Sequence, residues 1–194
     1  MDFFDLVKTN RSYRGYDGNF KMTIQQLEHL VECARFCPST VNMQPLKYFL
    51  SCDGETNGII LGNVTFAGRL KDIMKLPHKG KEPAAYIVVC HDKGIAPDPA
   101  GYLKDVGIVS QTMLLAACAE GLGGCMLSSF DPQKLGNDLG LPESIQPMLV
   151  LALGKPDEEI VCVDCEKDGN IAYYRDENDV HYVPKRKLED LIIK

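Results

Sequence analysis

The segments that the sequence lacks give the first limits on what kind of protein this is. No stretch of its 194 residues approaches the roughly 18 uninterrupted apolar residues of a membrane-spanning helix. The N-terminus carries Asp2 and Asp5 where a secretory signal needs basic residues, and no apolar segment follows them. These absences predict a cytoplasmic protein with no membrane partner.

The signatures of several enzyme classes are absent as well. The chain contains no P-loop, no His-Glu-x-x-His motif and no Gly-x-Ser-x-Gly motif. The glycine-rich stretch 121–124 follows a predicted helix and precedes a predicted strand, which reverses the order found in a dinucleotide-binding fingerprint. A formal net charge of -6 argues against general nucleic-acid binding, because such a surface repels phosphate backbones.

Eight cysteines are present, but a cytoplasmic chain of this length is not expected to build a disulfide framework. Cys162 and Cys165 form a Cys-x-x-Cys pair, whereas a structural zinc site usually needs two such pairs. The pair is predicted to lie in an acidic loop instead of opening a helix. We therefore predict no metal site, and a redox or metal-binding role for Cys162 and Cys165 stays open as an alternative.

The remaining composition is that of a globular protein, with 45% hydrophobic and 25% charged residues. No repeat or linker divides the chain, so we predict one domain over residues 1–194. Helix and strand patterns mix without a regular alternation, which favours an α+β fold. Helices are predicted over about 2–9, 24–36, 66–74, 103–120 and 132–139, and strands over about 48–50, 84–90, 125–127 and 147–154. Small residues recur in the helix at 103–120, which fits either a subunit interface or ordinary core packing.

Polar and basic clusters stand out against this background. Arg11, Ser12 and Arg14 follow the first helix, and residues 185–187 are all cationic. The forked guanidinium group of arginine and the charged amine of lysine can together bind a phosphate. These residues are equally explained as ordinary charges on a solvated surface. The loop at 38–45 is dense in hydroxyl and amide groups, which fits either ligand contact or an ordinary turn.

Taken in order, four segments resemble the FMN-dependent nitroreductase family over nearly the whole chain. They are 11–14, 38–45, 121–131 and 174–186. The resemblance implies a three-layer α/β/α sandwich around a central mixed sheet. It also implies an obligate homodimer in which the C-terminal segments are exchanged and FMN is touched by both chains.

The resemblance further implies roles for individual residues. The segment at 11–14 and the cations near the C-terminus would hold the FMN phosphate and ribityl chain, with Arg14 near the pyrimidine end of the flavin. The loop at 38–45 would come from the partner subunit, and the serines at 128–129 would present backbone amides near flavin N5. The expected cofactor-binding residues are Arg11, Ser12, Arg14, Pro38, Ser39, Asn42, Gln44, Ser128, Ser129, Lys185 and Arg186.

The implied activity is transfer of hydride from NADH or NADPH, through flavin N5, to a nitroaromatic, a quinone or a similar electrophilic small molecule. No catalytic side chain is required, since the cofactor carries the chemistry. One departure concerns specificity: Leu46 follows Pro45 where many family members have Trp, and the chain contains no Trp. Two alternatives stay open, a flavoprotein of the same fold that dehalogenates or dehydrogenates a small metabolite, and a non-enzymatic redox or metal module.

Overall fold

A computed structural model describes residues 1–68, 74–166 and 168–193. The chain forms two compact units, Met1–Pro156 and Asp157–Lys194. The helices are α1 (Phe3–Thr9), α2 (Ile24–Arg35), α3 (Gly54–Asn63), α4 (Leu103–Ala119), α5 (Pro132–Asp138) and α6 (Leu188–Leu191). The strands are β1 (Leu46–Ser51), β2 (Ala85–Asp92), β3 (Gly123–Leu127), β4 (Ile145–Gly154), β5 (Ile160–Cys165), β6 (Tyr174–Arg175) and β7 (His181–Arg186).

The first unit is built on a four-stranded sheet in the order β1-β2-β4-β3. The three strand pairings are antiparallel, and a parallel bridge joins Ser12 to Gly124 at the β3 edge, so the sheet is mixed. Alternate residues of β2 and β4, such as Ile87 and Leu151, pack in one core cluster with α2 and α4. The helices α3 and α5 contact the same two strands, and the α+β prediction is confirmed.

Local sequence signals account for the ends of the helices. Thr23 and Gln26 form the predicted capping box at the start of α2, with the Thr23 Oγ1 accepting from the Gln26 N–H at 3.3 Å. Asp131 accepts from the backbone N–H groups of Gln133 and Lys134, the second and third residues of α5, whose first residue is Pro132. Strand β2 is buried along seven of its eight positions, which explains its continuous apolar run.

The second unit is a three-stranded sheet in the order β5-β7-β6, in which β5 and β7 are parallel. The guanidinium of Arg175 pairs there with the carboxylates of Glu158 and Asp179, and both Arg175 and Glu158 have buried side chains. A parallel pairing and a buried ion pair give this short segment a structure of its own. The prediction of one domain over residues 1–194 stays a prediction.

Two expectations for secondary structure need correction or comment, and one helix was not expected. Cys162 and Cys165 lie in β5, not in a loop, and their spacing of three places them on opposite faces of the strand, one exposed and the other buried. The helix α3 was not predicted. Of the helix expected over residues 66–74, residues 69–73 lie outside the described part of the chain. No described helix is both long enough and apolar enough to span a bilayer.

Candidate functional site

The basic segment at 11–14 lies along the outer edge of β3. The Tyr13 N–H donates to the Gly124 carbonyl at 3.1 Å, and Ser12 forms a parallel bridge with the same glycine. A side chain at Gly123 would place its Cβ 2.5 Å from the Tyr13 ring. Glycine is therefore required at position 123 because the segment approaches the strand this closely.

Both arginines of the segment are held by neighbouring carbonyl groups. The Arg11 Nε donates to the Asn10 carbonyl at 2.7 Å, and its Nη2 donates to the Val7 carbonyl at 2.8 Å. The Arg14 Nη1 donates to the Ser12 carbonyl at 3.0 Å. Burial raises the pKa of the Cys118 thiol, and the charge of Arg11 acts in the opposite direction. The Cys118 Sγ contacts the Leu6 carbonyl at 3.9 Å, and Arg11 donates to the next carbonyl along the chain, that of Val7, so Arg11 lies near Cys118 at the C-terminal end of α4.

Tyr16 anchors this segment and was not singled out in the sequence. Its side chain is fully buried, and its hydroxyl contacts the Tyr13 carbonyl at 2.7 Å and the Ala152 carbonyl at 3.3 Å. The single hydroxyl proton is shared between these two carbonyls, and the contacts tie the end of the basic segment to β4. A tyrosine in a polar stretch gives little signal of burial, because the sequence does not show that the stretch packs against a sheet.

The predicted serine pair lies at the far end of the same strand. Ser128 and Ser129 follow Leu127 and are exposed. The Ser129 carbonyl accepts from the Thr65 N–H at 3.0 Å, and the Ser128 carbonyl accepts from the Phe130 N–H at 3.1 Å. Ser128 lies four positions after Gly124, so at ~3.3 Å per residue the basic segment and the serine turn are about 13 Å apart.

The loop at 38–44 is held by a carboxylate that the sequence analysis missed. The Ser39 hydroxyl donates to Asp105 Oδ2 at 2.7 Å, the Thr40 N–H donates to the same oxygen at 2.9 Å, and the Thr40 hydroxyl donates to Oδ1 at 2.8 Å. Burial raises the pKa of Asp105, but these hydrogen bonds outweigh it and the net pKa is lowered. The sequence does carry one signal for Asp105: it is an acidic residue in a helix with few charges, next to Val106 and Val109, which are also buried.

The predicted residues fall into three groups, two in the first unit and one in the second. Arg11, Ser12 and Arg14 share the β3 edge with Ser128 and Ser129. Pro38, Ser39, Asn42 and Gln44 form one loop at the N-terminal end of α4. Lys185 and Arg186 are exposed on β7, in the second unit. Asp105 and Cys118 are thirteen residues apart on α4, so the first two groups lie about 20 Å apart along this helix.

Comparison with known proteins gives a consistent result. A sequence model described as the nitroreductase family matches residues 7–155. A protein of Methanothermobacter thermautotrophicus is 25% identical over 162 residues, which cover 81% of this chain and 79% of the relative. Its name, NADH dehydrogenase/NAD(P)H nitroreductase, is itself provisional. The 5,6-dimethylbenzimidazole synthase of Rhodospirillum rubrum is 27% identical, with coverage of 75% of this chain and 78% of that protein.

Solved structures show the same fold. A nitroreductase family protein from Clostridium difficile superposes with a TM-score of 0.65 at 24% identity, covering 81% of this chain and 86% of that chain. A protein from Exiguobacterium sibiricum, provisionally called a nitroreductase and solved in complex with FMN, superposes with a TM-score of 0.66 at 22% identity. That match covers 81% of this chain and 90% of the other.

Proposed function

Because this chain belongs to the nitroreductase family, we propose that it is an FMN-dependent oxidoreductase that acts as a homodimer. It would transfer hydride from NADH or NADPH to a small electrophilic acceptor, such as a nitroaromatic or a quinone. FMN, when bound, supplies the hydride chemistry. The protein's part is to bind and orient the reactants and to exclude water.

One observation carries the proposal of a shared site. The two sets of expected FMN-binding residues in the first unit lie at opposite ends of α4, about 20 Å apart. The two sets of residues within one chain are therefore too far apart to contact the same part of one flavin. If two copies pack their α4 helices antiparallel about a two-fold axis, the N-terminal end of one helix lies beside the C-terminal end of the other. Asn42 of one chain then approaches Arg11 of its partner.

The outer face of α4 supports such a pairing. Leu103 and Ile108 are apolar and exposed at 59% and 39%. A Cβ built on Gly107 meets nothing within 4 Å, so a second backbone can approach this turn closely. Apolar surface on an exposed helix, interrupted by a glycine, is what a helix–helix interface requires.

The β3 edge fits an extended mononucleotide. Arg11 and Ser12 would hold the phosphate at one end, where an arginine fork suits its oxygens. The serine turn would place two backbone amides at the other end, about 13 Å away. Arg14 would stand near the flavin edge that gains negative charge on reduction, and a fixed cation there stabilises the reduced form.

A groove in the first unit suits the proposed exchange of C-terminal segments. Within the described residues β1 pairs with β2 alone, so one of its edges is open to another strand. A cavity of about 380 Å³ lies beside it, lined by apolar side chains such as Val31 and Leu46. The C-terminal segment exposes Leu191 and Ile193, and its entry from a partner would bring Lys185 and Arg186 toward the shared site.

A second reaction has one specific observation in its favour. The relative named 5,6-dimethylbenzimidazole synthase is 27% identical to this chain, and two relatives with nitroreductase names are 25% and 27% identical. Membership of the family therefore leaves the acceptor open, and a reaction other than nitro or quinone reduction is the second candidate.

The test begins with the purified protein. We expect a yellow dimer whose flavin spectrum corresponds to one FMN per chain, measured by absorption together with sedimentation. Rapid mixing with NADH and with NADPH should bleach that spectrum, and a nitroaromatic or quinone should restore it. A colourless monomer that ignores added FMN would overturn the proposal, whereas a flavoprotein that neither nicotinamide reduces would favour the second candidate.

A further inference from the structure

The geometry points to Asp105 as a positioning residue, which holds the loop at 38–44 in the shape that a flavin bound to the partner chain requires. This inference rests on the proposed function and extends it. Asp105 lies in α4, and its side chain makes hydrogen bonds to the loop from a buried position. It would act through the loop without touching the reactants.

The loop has a backbone conformation that its sequence disfavours. Val41, Asn42 and Gln44 have φ values of 48°, 55° and 52°, in the left-handed region that residues with a Cβ rarely adopt. Asparagine tolerates this region, but a β-branched valine does not. Val41 is also 81% exposed, so burial of its side chain does not hold the conformation in place. Other contacts must hold it.

Two backbone hydrogen bonds within the loop, from Asn42 to Ser39 and from Met43 to Thr40, are among those contacts, and the hydrogen bonds that Asp105 accepts tie the loop to α4. Its two carboxylate oxygens accept three hydrogen bonds, from the Ser39 hydroxyl and from the N–H and hydroxyl of Thr40. Because the Ser39 hydroxyl gives its one proton to Asp105, its lone pairs remain to accept from another group. The Gln44 N–H donates to that hydroxyl at 3.0 Å. A chain of bonds therefore runs from α4 through Ser39 to the last residue of the loop.

The arrangement calls for a carboxylate at this position. An asparagine could still accept from Ser39 and Thr40 with its oxygen in the place of Oδ2, and its N–H could donate to the Thr40 hydroxyl. It carries no charge, however, and charge-assisted hydrogen bonds are roughly twice as strong as neutral ones. Removing the carboxylate should release the loop into other conformations, of which only a fraction binds flavin. The apparent dissociation constant for FMN rises by the inverse of that fraction.

The test compares Asp105→Ala and Asp105→Asn with the wild type. In protein freed of flavin, hydrogen exchange followed by mass spectrometry should speed up in the peptide that contains residues 39–44. The dissociation constant for FMN, measured by fluorescence titration, should rise about tenfold or more in Asp105→Ala, which corresponds to a binding-competent fraction of about one tenth, and should rise by less in Asp105→Asn. The double variant Asp105→Ala/Thr40→Val should lose less than the product of the two single effects, because both changes break the same contact.

Met113→Ala is the control for simple loss of stability. Met113 is fully buried in the same helix, so its truncation lowers the melting temperature without removing a bond to the loop. This variant should keep loop exchange and FMN affinity near those of the wild type at a temperature well below its unfolding. If it weakened FMN binding as much as Asp105→Ala at an equal melting temperature, Asp105 would have no role beyond stability.

Two outcomes separate this inference from the proposed function. Unchanged loop exchange in Asp105→Ala overturns the role of Asp105, even if the wild type binds FMN tightly. A wild-type protein that binds no FMN overturns the proposed function, and the exchange measurement on flavin-free protein then still decides whether Asp105 shapes the loop.

Discussion

Replacing Arg11 with alanine should weaken FMN binding by an amount that the structure allows us to estimate. The guanidinium is held by the carbonyls of Val7 and Asn10, so little side-chain freedom remains to be lost when it meets a phosphate. Loss of a charge-assisted hydrogen bond costs about 1.5–3 kcal/mol, or roughly 10- to 150-fold in the dissociation constant. Arg11→Lys keeps the positive charge but not the forked guanidinium, so it should lose less affinity for FMN than Arg11→Ala does. Titration of flavin-free protein with FMN, followed by fluorescence quenching, measures each value.

Lys134→Ala is the control for this experiment. Lys134 pairs with Asp138 at the exposed surface of α5 and belongs to none of the three groups of predicted site residues, so its loss should leave FMN affinity unchanged. Arg14→Ala should behave as Arg11→Ala does. If both Arg11→Ala and Arg14→Ala bound FMN as tightly as the wild type, the phosphate end of the site would be wrongly assigned.

Three further predictions concern pH, thiols and packing. The folded-state pKa of Asp105 is lowered, so ionised Asp105 stabilises the fold fully above its unfolded pKa of about 3.9, and this stabilisation is lost as the pH falls through the lower folded pKa. Below about pH 4, calorimetry should therefore show the melting temperature of the wild type falling more steeply with pH than that of Asp105→Asn. Equal slopes for the two proteins would contradict this. Replacing both Cys162 and Cys165 with serine should leave flavin content and turnover nearly unchanged, and loss of turnover would favour the redox or metal alternative. Gly123→Ala puts a Cβ 2.5 Å from the Tyr13 ring, so it should destabilise the fold by about 1–3 kcal/mol and weaken FMN binding. If a urea titration and an FMN titration of this variant both matched those of the wild type, the close approach of Tyr13 to Gly123 would be refuted.

The elements of the fold with strong local signals were predictable from sequence. The capping box at Thr23 and the Asp131-Pro132 start of α5 are chemical signals confined to a few residues, and both helices begin where predicted. The buried strand β2 follows from its apolar run, which needs cover on both faces. Helix α3 carried no such signal, because its three glycines and mixed polarity hide any periodic face.

The grouping of site residues depends on long-range packing and was not predictable from residue spacing alone. Nothing near Asp105 in the sequence indicates that its carboxylate meets Ser39, which lies 66 positions earlier. Asp164 within β5 and the flanking residues Glu159 and Glu166 predict a loop, because they mask an edge strand with one polar face. Local patterns fix where elements begin, but the contacts between distant elements depend on the packed core.

The central claim is that one flavin is held by two chains, and mixed dimers test it most directly. One chain would carry Arg11→Ala and Arg14→Ala, and the other Ser39→Ala and Asn42→Ala, each with its own affinity tag. Dimers of either variant alone should bind FMN weakly at both sites. The doubly tagged heterodimer should recover one tight site, because one of its two sites draws the basic segment and the loop from unaltered halves. A heterodimer without any tight site would contradict the account.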